Sequence, residues 1–224
     1  MRHRLTLPAL VRAARSDAGR MRRCCVEVQD SAGLKALLSA LLTAGNFVNA
    51  GSARAGAAGV HLDALEKAAM LRSADRRTTF LRTLAGMRRP AREAGRELAA
   101  EMPSLFEGGG DAGTTGELRS QVGGCRAALA SVRHELALVP VGDVEEDIEQ
   151  SLAGELDMPR RFKLVMADFA DGAAAELLKL DEELSELEVA QRELSVFAGE
   201  EAGKADADDV LERVRAAVEH LRGA

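Results

Sequence analysis

The chain has 224 residues, 46% of them apolar and 29% charged, with a formal net charge of -6. It lacks Trp and Tyr and is only 3% aromatic, a composition that suits helices packed along Ala and Leu seams and disfavours sheet-rich folds. The charge is lopsided: residues 1–96 carry 18 Lys and Arg against 7 Asp and Glu, whereas residues 141–224 carry 9 against 23.

In chain order, the pattern predicts a helix from about Pro8 to Gln29, with Leu7, Leu10, Val11, Ala14, Ala18 and Met21 on one side. Asp30-Ser31 reads as the N-cap region of a second helix, Ala32 to Ala44, whose apolar face is Leu34, Leu37, Leu38, Leu41 and Leu42. The apolar run is expected to stop at Gly45-Asn46. Asn46 and Asn49 flank Phe47 and Val48, and amides beside apolar residues suggest side chains that fix a backbone bend. Gly51, Gly56 and Gly59 supply the turns that follow. Leu62 to Met87 reads as a helix or a broken pair of helices, interrupted at Ser73-Ala74-Asp75, and a short helix spans Glu93 to Glu101.

Residues 108–116, rich in glycine, read as a flexible linker: a phosphate-cradling loop would need a strand before it and a Lys after its glycines. Then Leu118, Val122, Cys125, Leu129, Val132, Leu136 and Val139 alternate at spacings of four and three, an a/d seam of about three heptads. A short helix carrying Val144, Ile148, Leu152 and Leu156 precedes Pro159. A long helix from Pro159 to Phe197 follows, with the seam Phe162, Val165 or Met166, Phe169, Ala173, Leu177, Leu180, Leu184, Leu187, Gln191 and Leu194. Such a helix is roughly 55 Å long and needs a partner for its seam, which residues 117–139 supply by folding back antiparallel. Gly199 to Gly203 breaks this rod, and Asp206 to Leu221 forms the last helix. The expected fold is all-α: an elongated helical bundle with a long antiparallel coiled-coil hairpin. Its expected parts are a helical region at 1–107, the linker at 108–116, the coiled coil at 117–198, and a C-terminal helix at 199–224 packing back on the first region.

Little in the chain points to catalysis. His3, His61, His134 and His220 are scattered, with no nucleophile-and-base arrangement around them, so the chain reads as a non-enzyme that needs no cofactor. Cys24, Cys25 and Cys125 have no metal-ligand or disulfide spacing and are expected to pack in helices, in keeping with a reducing compartment. The Arg-rich first 23 residues resemble an organelle transit peptide, but the amphipathic pattern runs on without a cleavage-like break. No run approaches the ~20 apolar residues of a membrane span. Nucleic-acid binding is disfavoured by the scarcity of stacking aromatics.

The ordered residues Gly45, Asn46, Phe47, Asn49, Gly51, Gly59, Leu62, Leu65, Lys67, Ser73, Asp75, Thr79, Leu81 and Leu84 resemble the formin homology-2 domain, the actin-assembly domain of formins. That family carries a Gly-Asn-aromatic-Met-Asn signature, a Gly-Phe-x-Leu turn, and then Asp-Thr-Lys-Ser-x-Asp. Here Val48 replaces the Met, Val60 the Phe, Met70-Leu71 the Asp-Thr, and Arg72 the lysine implicated in actin contact. The resemblance implies a cytoplasmic, cytoskeleton-associated module whose partners are actin and a second formin-like subunit. It places actin contact at Arg72, with Lys67, Arg76 and Arg77 as further candidates. It places the surface receiving the partner subunit's lasso at Gly45, Asn46, Phe47 and Asn49. With no Trp, the chain is expected to hold the coiled-coil and post half of the domain, without lasso and knob. The alternative is a coiled-coil scaffold that does not bind actin, its basic half paired with an acidic surface.

Overall fold

In the computed structural model, residues 2–53, 55–87, 89–106, 113–138, 158–199 and 206–223 are described, with backbone alone for 2–5 and 158–160. The described residues form helices α1 (Arg2–Asp30), α2 (Ala32–Val48), α3 (Asp63–Met70), α4 (Phe80–Ala85), α5 (Ala91–Glu101), α6 (Pro103–Phe106), α7 (Thr115–Leu138), α8 (Met158–Phe197) and α9 (Ala207–Arg222). The fold is all-α; the nearest thing to a sheet among the described residues is one isolated antiparallel bridge, Arg72 with Thr79. No single described helix is long and apolar enough to cross a membrane. The short helix expected around Val144 to Leu156 and most of the expected linker lie outside the described residues.

The chain divides into two compact units: residues 1–18 with 113–185, and residues 19–112 with 186–224. In the first unit the seam of α7 is buried at every described position: Leu118, Val122, Cys125, Leu129, Val132 and Leu136. Leu7, Val11, Ala14 and Ala18 of α1 are buried in the same unit, and Leu10, expected on that face, is 42% exposed. Leu10 lies three positions from Leu7, so it falls just outside a stripe set by Leu7, Val11, Ala14 and Ala18. On α8 the buried set is Met166, Ala170, Leu177 and Leu180, whereas Phe162 and Val165 are exposed. The seam therefore starts at Met166, with Ala170 rather than Phe169 fully inside. Around it, the Arg15 guanidinium reaches Glu183 through Nε at 3.0 Å and Nη2 at 2.6 Å, and Glu176 through Nη1 at 2.9 Å. Arg126 of α7 bonds Asp181 of α8 at 2.5 Å. Part of the acidic face of α8 is thus engaged by arginines rather than wholly solvated.

The second unit holds the larger core. Cys24, Cys25 and Val28 of α1 meet Leu34, Leu37 and Leu41 of α2, Leu65 of α3, Leu81 of α4, Leu98 of α5, Leu194 of α8 and Val210, Val214 and Leu221 of α9. Burial pushes the Cys24 thiol up to about 11 and the Cys25 thiol up to about 12, which keeps both protonated and makes them packing residues. The α1–α2 joint is made by Ser31. Its hydroxyl accepts from Leu34 N at 3.0 Å, capping α2, and donates to Glu101 Oε2 at 2.6 Å. The same carboxylate oxygen accepts the Gly33 N–H at 2.9 Å. Close contact between α5 and α9 depends on Gly95, where an added Cβ would lie 2.9 Å from both Arg222 N and Leu221 Cβ. The end of α8 turns at Gly199, in the left-handed region at φ 75°, as its glycine signal predicts.

Candidate docking surface

The end of α2 differs from the bend read in the sequence. The helix runs on through Gly45 and Asn46 to Val48, and Asn49 closes it, its N–H donating to Gly45 O at 3.0 Å. Asn46 acts in a different way: it grips the loop that follows rather than bending the helix. Its Oδ1 accepts from Ala57 N at 2.8 Å and its Nδ2 donates to Ala57 O at 3.0 Å. One side chain thereby satisfies both backbone groups of a residue eleven positions on, standing in for a strand neighbour. Between them the loop turns at Gly51 and Gly56, with φ of 79° and 76°.

This clamp folds the loop over an apolar pocket of about 390 Å³ between α2, α3 and the start of α4. Gly45, Asn46 and Asn49 line it together with Leu41, Leu71 and Phe80. No atom lies within 4 Å of a Cβ built on Gly45, so the glycine leaves that wall open. The fourth residue of the sequence set, Phe47, is not with them. It is 81% exposed and borders a separate groove of about 860 Å³ beside α4 and α5. The structure brings three of the four together and puts Phe47 on the other flank of α2.

The basic candidates sort differently. α3 ends at Met70, and the chain forms a tight hairpin before α4 starts. Phe80 N donates to Leu71 O at 2.8 Å, Ser73 N to Thr78 O at 3.0 Å, and Arg76 N to Ser73 O at 2.9 Å. Arg76 sits at the tip with φ 58°, a left-handed conformation that costs a non-glycine residue roughly 1–2 kcal/mol. Asp75 steadies the tip from inside the turn, taking the Ser73 hydroxyl at 2.5 Å and the Arg77 N–H at 3.1 Å. These hydrogen bonds, the Ser73 one foremost, hold its carboxyl below the usual carboxylate range. Arg72, Arg76 and Arg77 are exposed on this hairpin, where Arg72 Nη1 donates to Arg76 O at 3.4 Å. Lys67 stands apart on α3, paired with Asp63 at 2.7 Å and bordering the α2–α3 pocket.

Sequence reasoning missed what fastens the hairpin. Buried Thr79 caps α4, accepting from Arg82 N at 3.4 Å, and its Oγ1 lies 2.8 Å from His220 Nε2 of α9. Arg82 in turn donates to His220 O at 3.2 Å and to Gly223 O, capping the C-terminal carbonyls of α9. Burial first, then the charges of Arg82 and Arg72, hold the His220 imidazole below its ordinary range, so it is neutral at pH 7. A Thr before an apolar run is a cap signal that could have been read. Its meeting with a histidine 141 positions away could not.

The chain compares with known proteins along nearly its whole length. It is 28% identical over 188 residues to Formin-like protein 6 of Oryza sativa subsp. japonica, which covers 83% of this chain and 12% of that protein. It is 26% identical over 210 residues to Formin-like protein 14 of Arabidopsis thaliana, covering 92% of this chain and 16% of that one. The chain thus spans less than a fifth of the length of these relatives. The Formin Homology 2 Domain family matches residues 1–222, and the chain belongs to that family.

Proposed function

We propose that the chain is a non-enzymatic, cytoskeleton-associated actin-binding module in which the hairpin between α3 and α4 contacts actin. The observation that carries this reading is the hairpin itself. It projects Arg72, Arg76 and Arg77 into solvent on a backbone fixed by cross-hairpin hydrogen bonds and the Thr79–His220 link. Its one acid, Asp75, is exposed, bonded to Ser73 and 4.0 Å from Arg77, and three arginines against it leave the hairpin net positive, which suits an acidic protein surface. Arg72 is the principal contact. Arg76 and Arg77 add steering, and Lys67 contributes less because Asp63 already holds it. Gly45, Asn46 and Asn49 line the pocket that receives an apolar segment of a second formin-like subunit, and Phe47 meets that segment from the other side of α2.

Co-sedimentation of the purified chain with actin filaments at low salt tests the reading. Binding by the wild type, with loss on Arg72→Ala at unchanged helix content, is the expected result. If the wild type does not pellet with actin even at low ionic strength, where such contacts are strongest, the scaffold alternative holds instead.

A further inference from the structure

The backbone bonds of the α3–α4 hairpin run within it: Phe80 N to Leu71 O, Ser73 N to Thr78 O and Arg76 N to Ser73 O. They set its shape. What ties a hairpin residue to the last helix is the bond between Thr79 Oγ1 and His220 Nε2, at 2.8 Å. Thr79 is the bridge partner of Arg72, so whatever holds Thr79 also holds the backbone that carries Arg72.

The chemistry of that bond asks for a neutral ring. Thr79 is buried, and its Oγ1 already accepts the Arg82 N–H at 3.4 Å as the N-cap of α4. The hydroxyl proton then goes to the imidazole, which assigns Nε2 as acceptor, a role that a protonated ring cannot take. The charges nearest the ring also oppose a proton. Arg82 of α4 donates to His220 O at 3.2 Å, and Arg72 of the hairpin acts on the ring as well. Glu66 of α3 and Glu212 of α9 would favour the proton. Both are exposed on a concavity of about 460 Å³ that His220 and Arg213 also line, and water there screens them. Glu219, the preceding residue of α9, is exposed too. α5 and α6 meet this end of α9 at Gly95 and Phe106, uncharged residues that lie beside Arg222.

We propose that His220 is a positioning residue for Arg72: through Thr79 it holds the hairpin against α9, and acid releases that hold by protonating the ring. The latch stands on the geometry alone, whereas its use rests on the reading above, in which the hairpin contacts actin. Opening the hairpin returns the imidazole to water and to its ordinary proton affinity, so acid favours the open form. With an ordinary pKa of 6.5, opening at pH 6.0 is at most about fourfold that at pH 7.5.

The test is native-state hydrogen exchange of the full chain at pH 7.5 and 6.0, corrected for the intrinsic pH dependence of exchange and read at the Ser73 and Phe80 amides. It is run on the wild type, His220→Ala and His220→Gln, and paired with actin co-sedimentation at pH 7.5. The wild type is expected to lose protection at these amides at pH 6.0, by about two- to fourfold. His220→Gln can still bond Thr79 but cannot be charged, so it is expected to be equally protected at both pH values. His220→Ala is expected to be roughly fivefold less protected at both, having lost the bond altogether. It is also expected to bind actin about threefold more weakly, because the hairpin is less often in place, with His220→Gln restoring the affinity. Wild-type protection that is the same at the two pH values, or protection in His220→Ala as high as in the wild type, would overturn the latch. The expected exchange pattern with wild-type actin affinity in His220→Ala would overturn the positioning role. The expected pattern with no wild-type binding to actin would uphold the latch and overturn the reading on which its use rests.

Discussion

Removing the Asn46 side chain tests how the apolar pocket beside α2 is made. In Asn46→Ala the two bonds to Ala57, at 2.8 and 3.0 Å, are lost together. A typical hydrogen bond contributes about 0.5–1.5 kcal/mol net, and the orphaned Ala57 groups can turn to water, which favours the low end of that range. The clamp as a whole is then worth about 1–2 kcal/mol. If it holds the loop shut, local opening at Ala57 becomes roughly 5–30 times more populated, and its amide exchanges faster by that factor. Core amides such as that of Leu194 should hardly change, since the loop lies outside the buried cluster. Native-state hydrogen exchange resolved by residue measures both. An Ala57 amide that exchanges at the wild-type rate in Asn46→Ala would refute the clamp. A uniform rise across the core would show that Asn46 acts on global stability instead.

Other predictions concern the joints of the second unit. Ser31→Ala should lower stability by about 1–2 kcal/mol in a urea titration, because it removes the α2 cap together with the hydroxyl's bond to Glu101. Gly95→Ala should destabilise by about 1–3 kcal/mol through overpacking against the α9 backbone, with a lowered thermal midpoint as the readout. The His220 site predicts a pH effect. Its folded-state pKa is depressed, so the unfolded chain binds the proton more readily, and stability falls as pH drops below about 6.5, the unfolded value. His220→Gln should flatten that part of the stability profile between pH 7 and 5; an identical slope in the variant would contradict the assignment.

Much of the helical organisation was legible because it rests on local pattern. The α7 seam could be read from its four-three spacing, the α2 start from Ser31, and the break between α3 and α4 from Ser73 and Asp75. The errors arose where a distant partner overrode a local signal. Gly45 and Asn46 are poor helix formers, yet α2 continues through them, with Asn46 satisfied by Ala57 across the loop. Gln29, at the end of α1, donates to Ala190 O of α8, a long-range contact that no periodicity announces. The same holds for the hairpin: its basic residues stand out in the sequence, whereas its anchor, His220, looks like any histidine on the last helix. The family resemblance groups Phe47 with Gly45, Asn46 and Asn49, and one step along a helix is a rotation of about 100°, so Phe47 borders the groove on the other flank of α2.

The central claim is that the α3–α4 hairpin is the actin-binding element. It is tested most directly by measuring the Kd for actin filaments of the wild type and of a triple variant, Arg72→Ala with Arg76→Ala and Arg77→Ala, over a range of salt. The three side chains are exposed and make few contacts within the fold, so helix content should be unchanged. The account predicts wild-type binding that weakens as salt rises, and a variant at least about tenfold weaker whose remaining affinity depends little on salt. A triple variant that binds actin with wild-type affinity and wild-type salt dependence would contradict it.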